Sequence, residues 1–433
     1  MPDEPQPQNR TRTRTLSPAD APDVPTGTPT PRTSRTAPAA NRLLPLVAVG
    51  LVLTALNLRP AITSLGSLLE EVRDGLHMSG SVAGVLTSVP PLCFAVFGIT
   101  APRLARRFGP AAVVCAGMVA ITAGLAIRPL VGGTAGFLAA SALALMGIAV
   151  SNVLMPVIVK RWFPDRVGSM TGLYSMALAL GTSLAAAVTV PMTSALGGNW
   201  RTGLGVWAVL AAVAVLPWIP LLRDRGGAAG RSAVQHRDTP ELRITRSRTA
   251  WALACFFGLQ ATAAYITMGW MPQIFRDAGV SAGTAGVLLA LTMALGVPLA
   301  FVIPRVASRM RNQGPIVLFL GSCGLAGYAG LHLAPAGGAW VWALLLGISN
   351  CAFPLALTMI GMRSRSGAGV VRLSAFAQSV GYLISIPGPL LIGVLYQHSG
   401  GWGLPLALMA GLMVPQMAAG FLAGRDRTIE DEC

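Results

Sequence analysis

The stretch LLPLVAVGLVLTALNLRPAITS, residues 43–64, decides the fold. Its residues are apolar or small, apart from a few hydroxyls, Asn57 and one charged residue, Arg59. An α-helix rises about 1.5 Å per residue, so the run 43–62 crosses the roughly 30 Å of bilayer hydrocarbon. We therefore predict that this run is a membrane-spanning helix.

Eleven comparable apolar runs follow along the chain. They are residues 82–101, 111–130, 136–158, 168–193, 203–222, 250–272, 284–303, 315–334, 339–360, 370–396 and 403–423. Only 11% of the 433 residues are charged, against about 25% in ordinary soluble domains, which excludes a water-soluble globular protein. The sequence predicts an all-α membrane protein with twelve transmembrane helices.

The basic residues predict the orientation of these helices. The chain has 32 Lys and Arg and a net charge of +16, and 27 of the 32 fall on the side of the two termini if the helices alternate in direction. Positive loops stay in the cytoplasm, so we expect a multi-pass protein of the plasma (inner) membrane with both termini cytoplasmic. The charge then indicates topology and contact with the lipid bilayer rather than a nucleic-acid partner.

Composition divides the chain further. The first 42 residues contain nine Pro and eight Thr with almost no large apolar side chain, which is typical of a disordered segment. We predict five segments in order along the chain. They are a disordered cytoplasmic tail (1–42), an N-terminal six-helix half (43–222), a cytoplasmic central loop (223–249), a C-terminal six-helix half (250–423) and a cytoplasmic tail (424–433).

The two halves repeat each other at an offset near 200 residues. Matching pairs include Leu56-Asn57 with Leu259-Gln260, Arg73-Asp74 with Arg276-Asp277, Pro102-Arg103 with Pro304-Arg305, and Ser151-Asn152 with Ser349-Asn350. Because each half has six helices, both halves keep the same orientation and form a parallel repeat. Such a repeat is typical of carriers whose solute site lies between the halves near the bilayer midplane.

Several motifs resemble one known family. They are LNLRPAITS (56–64), APRLARRFG (101–109), NVLMP (152–156), GLQ (258–260) and QSVGY (378–382). They resemble the major facilitator superfamily and, within it, the cyanate/2-nitroimidazole transporter branch. The resemblance implies a secondary transporter that moves a small polar or anionic solute by alternating access. The 2–3 loop lacks the family's usual Asp, and the fifth span lacks the Gly-Pro-rich motif of drug exporters.

Two other functions stay open, a proton-driven exporter of drugs or metabolites and a membrane sensor. The chain has no HExxH or GxSxG motif, so we do not expect an enzyme. All sixteen acidic residues lie outside the predicted spans, which argues against a buried carboxylate proton relay. The cysteines and histidines are dispersed along the chain, so we expect no metal site and no cofactor. We also expect the protein to be a monomer.

Polar residues inside the spans are the candidate solute-binding or gating groups. They are Asn57, Arg59, Asn152, Gln260, Tyr265, Asn350, Gln378 and Tyr382. Arg128 and Arg372 lie at the edges of their runs and are counted with the loops, so Arg59 is the only charge that we place within a span, where it either contacts an anion or reaches the outer headgroups. Each amide and tyrosine could instead join helices, and Asn152 and Asn350 could satisfy a carbonyl that the proline four residues later leaves unpaired.

Basic side chains at the predicted cytoplasmic ends of two helices are candidates for a gate. Arg103 with Arg107, and Arg305 with Arg309, are spaced i, i+4 and share a helical face. They could bond helix C-termini across a cytoplasmic gate. Simple anchoring of the topology explains them equally well.

Overall fold

A computed structural model of the chain describes residues 37–223 and 244–432. The described residues from 42 onward form one compact unit, and residues 37–41 are the start of the first helix. The predicted tail (1–42) and central loop (223–249) lie largely outside the described residues, so the disorder of the tail stays a prediction.

Helices make up all the regular structure of the described residues. The α-helices are α1 Ala37–Asn57, α2 Pro60–Ser67, α3 Leu69–Gly75, α4 Gly80–Phe108, α5 Pro110–Ile127, α6 Thr134–Trp162, α7 Val167–Ala195, α8 Trp200–Val215, α9 Arg248–Asp277, α10 Ala282–Ala294, α11 Gly296–Arg309, α12 Gly314–Leu333, α13 Ala339–Asn350, α14 Ala352–Met362, α15 Gly367–Ser385, α16 Pro387–Ser399 and α17 Gly403–Ala423.

Within the described ranges, 12 stretches are long and apolar enough to cross a membrane. They coincide with the twelve predicted runs, numbered here as spans 1 to 12, so the predicted fold class is confirmed. The first half contains spans 1–6 and the second half spans 7–12. The terminal face is the end of the bundle where span 1 begins and span 12 ends, and the distal face is the opposite end.

Four spans are each divided into two helices. Span 1 is α1 and α2, span 8 is α10 and α11, span 10 is α13 and α14, and span 11 is α15 and α16. In spans 8, 10 and 11 the first helix ends four residues before a proline, at Ala294, Asn350 and Ser385. The proline ring removes the hydrogen bond to that carbonyl and crowds it. Pro156 has the same spacing from Asn152, yet α6 is continuous there.

Small residues bring the two halves into close contact near the distal face. A Cβ on Gly84 of span 2 would lie 2.8 Å from the carbonyl oxygen of Leu390 in span 11. A Cβ on Gly66 of span 1 would collide with the carbonyl of Met268 in span 7. Glycine is required at both positions because any side chain would push the backbones apart. The distal ends of the halves are therefore packed directly against each other.

The C-terminal segment folds back onto the terminal face. Glu432 accepts hydrogen bonds from the Ser247 hydroxyl at 2.6 Å and from the Thr249 backbone N–H at 2.9 Å, at the start of α9. Glu430 accepts from the Ser364 hydroxyl at 2.6 Å, in the loop between spans 10 and 11. The predicted tail 424–433 thus includes an ordered clamp, residues 428–432, that ties three segments of the second half together.

The pKa of Glu432 lies below its usual value of 4.5. Burial opposes ionisation of this carboxyl, but the hydrogen bonds from Ser247 and Thr249 outweigh that effect. Because the folded pKa is depressed, the stabilisation is fully present above pH 4.5 and is lost as the pH falls through the folded value.

We predict that Glu432→Gln lowers the melting temperature of the detergent-solubilised protein at pH 7. The free energy of unfolding should fall by about 1 kcal/mol, the usual contribution of a side chain that caps a helix N-terminus. The difference from wild type should shrink below pH 4.5. Asp426→Asn is the matched control, since Asp426 is 60% exposed in a surface pair with Arg311. A pH-independent difference would contradict the assignment.

Candidate functional site

A cavity of about 460 Å³ lies between the halves, where the divided spans meet. Spans 1, 5, 7, 8, 10 and 11 line it, and the lining includes the break residues Arg59, Gly296 and Cys351. The lining continues to Pro304 and Thr358, within about two turns of the terminal ends of their helices. The cavity therefore extends from the divided spans toward the terminal face.

Arg59 occupies the break in span 1. Among the described residues that line the cavity, it is the only charged one. It follows the end of α1 and precedes Pro60, whose missing N–H suits the first position of α2. Its guanidinium lies over the ring of Phe94, 5.8 Å from the centroid. Tyr265 interacts electrostatically with Arg59. The ion pairs found among the described residues do not involve Arg59.

Aromatic rings pack beside Arg59, and two of them, Tyr265 and Tyr382, line the cavity. Phe94 and Tyr382 are stacked with centroids 5.1 Å apart, and Phe257 meets Tyr382 edge-on at 5.2 Å. Tyr265 is tilted against Phe94 at 6.5 Å. Sequence reasoning identified the two tyrosines but missed Phe94, because a single Phe in an apolar run carries no signal that it faces a cation.

Two amides also face the cavity. Gln260 of span 7 is 2% exposed, and its Oε1 has no hydrogen-bond partner. Asn350 is the last residue of α13, and its Nδ2 lies 4.0 Å from Met293 Sδ, a weak contact. The structure thus brings together five predicted site residues. They are Arg59, Gln260, Tyr265, Asn350 and Tyr382.

Three predicted site residues lie outside this cavity lining. Asn57 is buried, and its Nδ2 donates to the carbonyls of Leu53 at 2.8 Å and Leu210 at 3.3 Å, so it joins span 1 to span 6. Gln378 donates to Ser374 at 2.7 Å on its own helix. Asn152 is half-buried on α6. Their roles in solute binding stay predictions.

The four arginines of the predicted gate are exposed near the terminal face. Arg103 and Arg107 end span 2, Arg305 and Arg309 end span 8, and Arg107 lies over the neighbouring ring of Phe108 at 5.2 Å. Their gating role stays a prediction.

Polar groups join the halves at the distal face. Arg276 of span 7 pairs with Glu70 at 2.8 Å and Glu71 at 2.9 Å, both on α3 of the first half. Trp270 Nε1 donates to the Thr87 hydroxyl at 3.2 Å. The repeat of Arg73-Asp74 as Arg276-Asp277 pointed to this region, but Glu70 and Glu71 have no counterparts in that alignment and were missed.

Two arginines that we did not expect inside the bundle, Arg128 and Arg363, are buried. Arg128, at the outer edge of its predicted run, is 1% exposed, and its Nη1 donates to the carbonyl of Ala61 at 3.2 Å. Arg59 is therefore not the only charge inside the bundle. No group of three or more His, Cys, Asp or Glu side chains within residues 37–223 and 244–432 could hold a metal ion.

Comparisons with known proteins place this architecture in a family. The family model described as Major Facilitator Superfamily matches residues 47–364. A Bacillus subtilis protein named uncharacterized transporter YycB is 37% identical over 88% of this chain and 94% of its own length. The 2-nitroimidazole transporter of Escherichia coli is 33% identical, covering 88% of this chain and 95% of its own.

Two further comparisons agree. The cyanate transport protein CynX of Escherichia coli is 30% identical over 84% of this chain and 94% of its own. The crystal structure of the nucleoside transporter NupG superposes with a TM-score of 0.67 at 14% identity, covering 88% of this chain and 98% of that one, which supports the fold alone. The chain is a multi-pass membrane protein and belongs to the major facilitator superfamily of transporters, whose members bind small-molecule substrates.

Proposed function

We propose that the protein moves a small anionic or nitro-bearing solute across the membrane by alternating access, with Arg59 as its electrostatic anchor. The observation that carries the proposal is the position of this guanidinium, at the break of span 1 and within a cavity between the halves. A guanidinium is a fixed positive charge in proteins, so Arg59 presents the same charge throughout a transport cycle. A solute that brings negative charge compensates the cation and binds.

The remaining groups of the cavity suit a flat solute. Tyr265 and Tyr382 line the cavity with aromatic rings, and Gln260 offers an unpaired amide oxygen. A nitro or cyanate group accepts hydrogen bonds from a guanidinium, while a heteroaromatic ring stacks on an aromatic wall. The relatives named for 2-nitroimidazole and cyanate transport support this solute class.

The contacts between the halves support alternating access. The distal face is closed by the Arg276–Glu70 and Arg276–Glu71 pairs and by the packing of Gly66 and Gly84. The cavity extends toward the terminal face, which we propose is cytoplasmic from the arginine distribution, so this conformation faces inward. Opening the distal face requires these contacts to break while the halves rock about the cavity.

A proton-driven exporter of drugs or metabolites is the second candidate. The observation that favours it is the cavity volume of about 460 Å³, which falls in the range of roughly 300–1,000 Å³ that holds drug-sized ligands. Proton coupling would require a group that titrates during the cycle.

We predict that Arg59→Gln lowers kcat/KM for uptake of cyanate or 2-nitroimidazole into proteoliposomes. Because the variant lacks a charged hydrogen-bond donor to the solute, kcat/KM should fall about 10- to 100-fold. The matched control is Arg311→Gln, which removes an arginine whose side chain is 93% exposed. Equal uptake by Arg59→Gln and wild type, at equal insertion, would remove the electrostatic anchor from the proposal.

We predict that Gln260→Leu raises KM for the same solutes by roughly ten-fold with a smaller change in kcat, because the amide binds the solute in the ground state. Gln416→Leu is the matched control. Gln416 on span 12 is also buried with an unpartnered Oε1, but it lies outside the cavity lining. Similar KM values for the two variants would contradict a binding role for Gln260.

We predict that counterflow of the solute proceeds in proteoliposomes without a pH gradient. The cavity lining given by the described residues contains no Asp, Glu or His, so a solute-for-solute exchange needs no proton. The initial rate should therefore change less than about two-fold between pH 6 and 8, as expected for a lining without Asp, Glu or His. Transport that requires an imposed pH gradient would instead favour the exporter.

A further inference from the structure

A second, much smaller cavity lies on the distal side of the first half. Its volume is about 20 Å³, room for one occupant of the size of a water molecule. Spans 1, 2, 4 and 7 line it together with Arg128 at the end of α5. Tyr265 is common to both linings, so its ring stands between this cavity and the large one.

Arg128 presents an uncompensated charge to this cavity. It is 1% exposed, and it contacts the Ala61 carbonyl through Nη1 at 3.2 Å and the Phe137 ring at 5.5 Å. Its Nε and Nη2 have no hydrogen-bond partner. The ion pairs found among the described residues do not include it. The carbonyl end of α5 offsets only part of the charge, and a buried unpaired cation is costly.

Ser141 of α6 lines the same cavity with a second unsatisfied group. It is 1% exposed, and its Oγ has no partner. A guanidinium has donors and no acceptor, and a serine hydroxyl donates as well as accepts. A water molecule there would accept from these donors but would have to place its own two hydrogens, whereas a monatomic anion only accepts. The donor set and the charge therefore favour an anion.

We propose that one monovalent anion of halide size, such as chloride, binds between Arg128 and Ser141. Its charge compensates the guanidinium, and its size matches the cavity. The site is separate from the Arg59 cavity and does not depend on which solute the protein transports.

The test is the melting temperature of the full-length, detergent-solubilised protein as chloride or bromide replaces gluconate at constant ionic strength. Wild type should show a saturable rise with either halide, because a ligand that binds only the folded state stabilises it. Ser141→Ala should raise the half-saturating concentration about ten-fold, through loss of one hydrogen bond to a charged ligand.

Ser151→Ala is the matched control for the serine. Ser151 lies on the same helix, is 0% exposed, also has an unpartnered Oγ and lies outside this cavity lining. Its half-saturating concentration should equal that of wild type. If Ser141→Ala and Ser151→Ala changed the half-saturating halide concentration by the same factor, the proposal would be overturned.

Two arginine variants complete the test. Arg128→Gln should abolish the halide response, and if this variant does not fold, the serine pair decides. Arg59→Gln should show the same halide response as wild type. If Arg59→Gln lost the response, the halide would be assigned to the large cavity and the proposal would be overturned. A wild-type melting temperature that is independent of halide would mean that water alone fills the site, which would also overturn it.

Discussion

The hydrocarbon core of a bilayer offers no hydrogen bonds to a polypeptide, and the whole architecture depends on that constraint. Every backbone N–H and C=O inside it must find a partner in the protein, so the twelve spans are helices. A break in a helix exposes backbone groups, which is tolerable only where protein or a water-filled space satisfies them. The cavity lining includes residues at three of the four breaks, so the constraint that builds the bundle also locates the site.

Because polar partners are scarce inside the bilayer, a charged side chain within the bundle is costly unless another group compensates it. Arg59 lies in a cavity large enough to admit a solute, beside Phe94 and Tyr265. Arg128 lies in a space that admits a single small occupant, with one protein acceptor. Neither has a carboxylate partner among the described ion pairs, in contrast to Arg276 at the distal face. The two guanidinium groups thus have different proposed roles because the volumes around them differ.

Much of the fold could be predicted from the sequence because hydropathy acts on runs of about twenty residues, which is the length scale of the bilayer. The twelve spans were therefore found, and Arg59 and Gln260 emerged as polar residues in apolar runs. Arg128 was missed since it lies at the outer edge of its run, where we counted it with the loop, and the tertiary packing of α2, α5 and α6 buries it. Phe94 was missed because its partner is distant in the chain, and Asn57 bonds backbone carbonyls, an outcome that the sequence left open.

The distribution of the breaks is unequal between the halves. Spans 8, 10 and 11 of the second half are divided, but only span 1 of the first half is. A helix that is interrupted near a proline bends at a fixed point, whereas a continuous helix moves as a rod. The second half therefore has three points at which a span can bend locally, against one in the first half. Although the two halves repeat each other in sequence, they differ in how many of their spans are interrupted, so a motion that uses these breaks involves the two halves unequally.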